Sequence, residues 1–170
     1  MNMTSGMVGK RIEPETEGDI KQGYLEALTL VERLHRRLLD VIKDEFDRQG
    51  RNDINAVQAL LLHNIGNSEL TAGELRTRGY YLGSNVSYNL KKLVDLGYID
   101  QNRSEDDRRT VQIALTGKGH AVRGLLTGLF ARQSAALGPS GGLEEDKVEA
   151  TNLALGRLER FWTDHIRFRL

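Results

Sequence analysis

The sequence predicts a mainly α chain with a small β-hairpin wing: a winged helix-turn-helix flanked by N- and C-terminal dimerisation helices. Three observations carry this reading. Long apolar stripes at steps of three and four occupy both ends of the chain. Near the middle, two short helical patterns are separated by a tight glycine-containing turn. Directly behind them, two alternating segments flank the charged run RSEDDRR, as strands flank a hairpin loop.

The first residues, 1–18, mix Gly, Pro and charge without period and read as a flexible N-terminal arm. Asp19 can cap a long helix whose stripe is Leu25, Leu28, Val31, Leu34, Leu38, Ile42 and Phe46. Glu32, Arg36, Asp40, Lys43 and Asp47 form its polar face, and Gly50 stops it. A second helix is expected from Asn52 or Asp53 to Gly66; it is apolar around most of its circumference and should be buried. These two make an N-terminal unit, 19–66.

The winged helix spans 67–118. Thr71 and Glu74 have capping-box spacing, so a short helix starts there and dies at Gly79. Ser84 is expected to cap the next, which keeps Val86, Leu90, Leu93 and Val94 on one face and ends at Gly97. GYIDQN and TVQIAL read as the two strands, with Val111, Ile113 and Leu115 on the buried side. The C-terminal dimerisation helices fill 119–170. Thr116 caps the first, which is expected to end at Gly138-Pro139, with GPSGG as a hinge and Pro139 in a loop. The last starts near Glu144 and offers Val148, Leu153, Leu155, Leu158, Phe161 and Trp162, then Ile166 and Phe168. A small winged helix cannot cover these long stripes as well. A second copy of the chain is the simplest cover, hence an isologous homodimer.

Composition narrows the function. With 24 basic and 24 acidic side chains the net charge is +0, so no bulk field pulls the chain onto nucleic acid. Any such binding must come from a few cations placed on one face. Cysteine is absent, which removes disulfides, thiolate nucleophiles and Cys-ligated zinc together. No signal-peptide core or membrane-length apolar run occurs, so a cytoplasmic location and no membrane partner are expected. No phosphate loop, nucleophile elbow or carboxylate pair argues for an enzyme, and no cofactor is implied.

Turning the apolar face of the second short helix inward leaves Ser84, Asn85, Tyr88, Lys91 and Lys92 outward, with Ser87 at the border. Such a face suits a major groove. Asn85 can bridge two base-edge atoms, Tyr88 offers a flat surface with a hydroxyl, and the lysines reach phosphates. The hairpin tip would then lie over the adjacent minor groove, where arginine is drawn to narrow A·T-rich sequence. Arg108 and Arg109 are its cations, with Arg103 at the base. Asp106 and Asp107 cancel their charge, and a carboxylate two residues from an arginine can hold the guanidinium extended. The expected partner is double-stranded DNA. A solvated helix face and a plain mixed-charge turn are the alternatives.

The ordered set Leu70-Thr71-Ala72-x-Glu74-Leu75, Val86-Ser87, Leu93-Val94-Asp95-x-Gly97-Tyr98-Ile99, and Asp107-x-Arg109 followed after five residues by Leu115-Thr116 resembles the MarR family of bacterial transcriptional regulators. The D-x-R and the L-T-x-x-G that ends at Gly119 are its wing signature, and the resemblance covers about Ala56 to Gly119. It implies that Arg109 is the minor-groove arginine, Asp107 its orienting partner and Arg108 a backbone contact; Thr71, at the start of the matched set, joins the DNA-binding residues. It also implies a dimer on a pseudo-palindromic operator, a repressor as a rule, released by a small aromatic or phenolic effector. The run RGYYLGS departs from the common turn and resembles the LdtR-type subgroup, associated with an L,D-transpeptidase and cell-wall remodelling. The missing cysteine excludes the peroxide-sensing branch.

If an effector pocket exists, helix position places it around His35, Leu39, Leu61, His63 and Tyr80, though a ring or imidazole there is more often packing. Two other classes stay open. One is a winged helix used as a protein-interaction module, against which the polar helix face speaks. The other is a metal-responsive regulator, for which four scattered histidines lack ligand spacing.

Overall fold

The computed structural model describes residues 17–67, 70–71, 74–75, 83–103 and 111–168. In chain order they form α1 (Glu17–Arg48), α2 (Ala56–Ile65), β1 (Leu70–Thr71), α3 (Gly83–Asp95), β2 (Ile99–Arg103), β3 (Val111–Leu115), α4 (Gly117–Gly141) and α5 (Glu145–Phe168). The three strands make one antiparallel sheet in the order β1-β3-β2.

The stripe of α1 does two different things along its length. Ile42 and Phe46, at its C-terminal end, are buried in the core, whereas Leu25, Val31 and Leu34 stand in solvent, Leu34 at 64% exposure. Its polar face is laced by Arg36–Glu32 at 2.9 Å and Lys43–Asp47 at 3.2 Å, pairs one turn apart and exposed. Such pairs contribute little individually. Glu45 is the exception, a buried carboxylate that accepts from Arg132 Nη2 of α4 at 2.9 Å and so fastens α1 to α4.

The second helix is buried as its composition demands, with Leu61, Leu62 and Ile65 closed off from solvent. It starts later than Asn52 or Asp53. Asn55 is the N-cap: its Oδ1 accepts from Gln58 N at 2.9 Å, and Gln58 Oε1 accepts from Asn55 N at 3.1 Å. This reciprocal box satisfies two of the orphan donors of the helix start.

Thr71 and Glu74 make the expected box, Glu74 N donating to Thr71 Oγ1 at 3.0 Å and Thr71 N to Glu74 Oε2 at 2.7 Å. Glu74 and Leu75 are helical, and residues 76–82, with the expected helix end at Gly79, lie outside the described set. In α3 the helical backbone already begins at Gly83, so Ser84 lies in the first turn and not ahead of it. The helix ends at Asp95, and Gly97 in the turn after it has a φ of 73°, which favours glycine. In β3, Ile113 is fully buried and Leu115 half-buried, but Val111 is 37% exposed because the outer end of the hairpin runs past the core.

Thr116 caps α4 as expected, its hydroxyl accepting from Gly119 N at 3.2 Å and donating to the Gly97 carbonyl at 2.8 Å. The far end of α4 differs from expectation: it runs through Gly138 and Pro139 to Gly141, so Pro139 is helical. Gly142 then turns left-handed, and its N–H returns to the Gly138 carbonyl at 3.3 Å. In α5 no residue is buried; Leu153, Leu155, Phe161, Ile166 and Phe168 all face solvent. Trp162 Nε1 donates to the Tyr24 hydroxyl at 3.1 Å and ties α5 to α1.

Candidate nucleic-acid interface

The face of α3 sorts as its periodicity requires. Leu90 and Leu93 are buried and Val94 half-buried, while Ser87, Tyr88, Lys91 and Lys92 are exposed, Tyr88 at 67%. Ser84 and Asn85 lie in the first turn of this helix, with their side chains outside the described set. Thr71 is half-buried, occupied as a helix cap and as a strand residue paired with Gln112.

The hairpin ladder runs in register from Ile99↔Leu115 to Arg103↔Val111. Its outer end is therefore the base of residues 104–110, and Arg103 sits at that base. Asp107, Arg108 and Arg109 lie outside the described residues, as does the Arg103 side chain. Because β1 pairs with the other edge of β3, through Leu70↔Ile113 and Thr71↔Gln112, the hairpin and the start of the helix-turn-helix share one sheet.

Two polar tethers hold α3 in place, and neither was anticipated from the sequence. Gln58, 1% exposed, donates through Nε2 to Asn89 Oδ1 at 3.1 Å, joining α2 to the half-buried flank of α3. The only sequence signal was the N-x-x-Q spacing of Asn55 and Gln58. At the other end, Tyr98 is buried immediately after α3, and its hydroxyl donates to Asp53 Oδ2. Lys118 of α4 joins them, 3.2 Å from Asp53 Oδ2, 4.0 Å from the centre of the Tyr98 ring, and donating to the Leu96 carbonyl at 3.1 Å. The Tyr98 hydrogen bond holds the Asp53 carboxyl below its ordinary pKa, and burial followed by the Asp53 bond pushes the phenol up.

The residues expected around a pocket are spread out. His35 is exposed on α1, and Leu39 lines an open groove of about 530 Å³ with Arg33, Arg36, Arg37 and Asp40. Leu61 is part of the closed core. Tyr80 lies outside the described residues. His63 is half-buried, its ring edge-on to Phe130 of α4 at 5.1 Å between centroids. Its Nδ1 and Arg123 Nε are buried without a hydrogen-bond partner, although Arg123 Nη1 reaches Asn67 Oδ1 at 2.8 Å. Burial, and then the Arg123 guanidinium, lower the His63 pKa. No sequence signal marks Arg123, since an isolated arginine in a helical pattern reads as surface. Among the described residues no group of three or more His, Cys, Asp or Glu is placed to hold a metal, and no helix is long and apolar enough to cross a membrane.

The arrangement matches known proteins at three levels. The MarR family model matches residues 52–110, the stretch that carries α2, β1, α3 and β2, and stops one residue before β3. The exopolysaccharide II synthesis transcriptional activator ExpG of Rhizobium meliloti (strain 1021) is 39% identical over 150 residues, covering 85% of this chain and 74% of that protein. Among solved structures, Streptococcus pneumoniae FabT in complex with DNA superposes with a TM-score of 0.63 at 22% identity, over 83% of this chain and 98% of that one. Staphylococcus aureus MarR in complex with salicylate and kanamycin gives 0.66 at 18% identity, over 85% and 93%. A buried helix, a helix with one polar exposed face and a three-stranded sheet, with 39% identity to ExpG along most of the chain, place the protein in the MarR family of transcriptional regulators.

Proposed function

We propose that the chain works as a homodimer that lays two copies of α3 and two hairpin tips along one side of an operator duplex. The observation that carries this is the outer face of α3: Tyr88, Lys91 and Lys92 exposed together on a helix whose other face is locked into the core. Ser84, Asn85 and Ser87 complete the base-reading edge, with Thr71 at the helix-turn-helix entrance. Arg103, Asp107, Arg108 and Arg109 serve the minor groove and backbone. FabT, a relative in fold, is crystallised with DNA, which supports the same use here. The second subunit is supported by α5 and the N-terminal half of α1, where Leu25, Leu34, Leu153, Phe161 and Ile166 stand exposed among the described residues. The units 19–66 and 119–170 then supply the dimer, and 67–118 the DNA contacts.

Control by a small molecule belongs to the same reading. The buried unpartnered nitrogens of His63 and Arg123, at the junction of α2 and α4, are suited to an acidic aromatic effector. Its binding would favour a spacing of the two α3 helices that no longer fits the operator. In this reading the protein is a repressor. The relative ExpG is named an activator, which favours activation as the second reading. The run at 78–84 points to cell-wall targets, and ExpG to exopolysaccharide targets.

Selection of bound duplexes from random DNA tests the proposal. It should return two half-sites about one helical turn apart, bound with a steep salt dependence. Arg109→Ala should then weaken the selected site by about 1–3 kcal/mol at unchanged thermal stability. Enrichment of no sequence, or full binding by Arg109→Ala, sinks the reading. Where the selected site lies relative to a promoter, followed by transcription with purified components, decides between repression and activation.

A further inference from the structure

Gln58 is 1% exposed, and its one side chain serves two helices. Its Oε1 accepts from Asn55 N and its own N–H donates to Asn55 Oδ1, which fixes the start of α2. Its Nε2 is left over for a different task and donates to Asn89 Oδ1 on α3 at 3.1 Å. Asn89 directly follows Tyr88 and precedes Lys91 by two residues, so it lies on the flank between the buried stripe and the exposed face. The buried stripe itself, Leu90 and Leu93, is smooth and aliphatic. Aliphatic contacts hold a helix against a core but resist its rolling weakly, because they are non-directional. A hydrogen bond at the flank has direction, and breaking it leaves a buried amide unsatisfied.

We infer that Gln58 is a positioning residue that sets the roll of the reading helix α3 about its axis and thereby the discrimination between operator and other DNA. The roll decides which side chains point at base edges. A few degrees displace the tip of Tyr88 or Lys91 while leaving phosphates within reach of the flexible lysines. Loss of the tether therefore removes sequence reading ahead of general affinity. The backbone N–H of Asn55 holds the Gln58 side-chain amide from the other side at 3.1 Å, whereas the Asn55 side chain bonds only to the Gln58 backbone. This inference rests on the DNA-reading function proposed above.

The test measures affinity for the selected operator and for a scrambled duplex of equal length. Gln58→Leu keeps the bulk and removes the tether. Its operator affinity should fall about tenfold, the scale of one coupled hydrogen bond, with scrambled-DNA affinity and its salt slope unchanged. Asn89→Ala removes the acceptor without entering the core and should lose the same discrimination; the double variant should lose no more than either. Asn55→Ala weakens the α2 cap but leaves the Nε2 bond, and serves as the stability control: it should keep discrimination. Asn89→Asp retains an acceptor, so its added charge should lower both affinities alike and preserve their ratio. Discrimination intact in Gln58→Leu and Asn89→Ala overturns the positioning role, as does an equal loss in Asn55→Ala. A parent protein that prefers no sequence overturns instead the DNA-reading function, and the inference with it.

Discussion

Gly119→Ala should destabilise the protein while Gly117→Ala, two residues earlier in the same turn of α4, should not. A Cβ built on Gly119 overlaps the Tyr98 carbonyl oxygen and comes within 3.2 Å of Leu115 Cβ and 3.3 Å of its Cδ2. A Cβ on Gly117 meets nothing within 4 Å. The obstructing oxygen is backbone, at the junction of α3 and β2, and it accepts from Thr116 N at 3.1 Å. It cannot move aside without loosening that bond or the Thr116 hydroxyl's bond to Gly97, each worth about 1 kcal/mol. Overpacking adds roughly 1–3 kcal/mol. Alanine's helix propensity returns about 1 kcal/mol. The balance is a loss of about 1–4 kcal/mol for Gly119→Ala, against a change of about 0–1 kcal/mol in the stabilising direction for Gly117→Ala. Thermal unfolding at fixed protomer concentration reads the difference. A loss of about 2–3 kcal/mol lowers Tm by roughly 5–10 °C in a chain of this size. Equal Tm for the two variants would refute the close approach of α4 to Tyr98 and with it the physical reason for the glycine that ends L-T-x-x-G.

Two further outcomes follow from titration. The Asp53 carboxyl is held below its unfolded value of 3.8, first by the Tyr98 hydroxyl, so its stabilisation is present above that value and lost as pH falls through the folded one. Asp53→Asn should flatten the acid limb of the stability curve below about pH 4, and an unchanged limb would show the tether to be inert. The His63 imidazole is held below 6.5 by burial and then by Arg123, so the unfolded chain binds the proton first. Stability should fall as pH drops below about 6.5, and His63→Gln should remove that slope in urea titrations at pH 5 and 7; a slope that persists would place its origin elsewhere.

Much of the fold was legible because it is written in local rules. The Thr71–Glu74 box, the Thr116 cap and the division of α3 into a buried and an exposed side each depend on residues three or four apart. What escaped depends on distant partners or on very short elements. β1 is two residues long, too short for any alternation, and exists because the edge of β3 was open to it. Asn52 and Asp53 both have helix-capping chemistry, but Asp53 is engaged by Tyr98 and Lys118, and Asn55 takes the cap. Pro139 reads as a helix end by its missing N–H, yet the helix outlasts it by two residues and stops where Gly142 returns its N–H to Gly138. The outward placement of Tyr88, Lys91 and Lys92 was readable from period alone. The Gln58–Asn89 and Asp53–Tyr98–Lys118 tethers join positions 31, 45 and 65 residues apart, which no periodicity reports.

The central strand β3 has one neighbour from the hairpin and another from the residue pair that opens the helix-turn-helix. That shared member works like a common axle. Whatever tilts the loop-bearing end of the hairpin carries the helical entrance with it, so under the proposed DNA-reading function depth in one groove and phase along the next would be geared together. Tuning this protein to a new target by lengthening the hairpin alone would shift only the tip, whereas a residue inserted into β3 would throw both readers out of step at once.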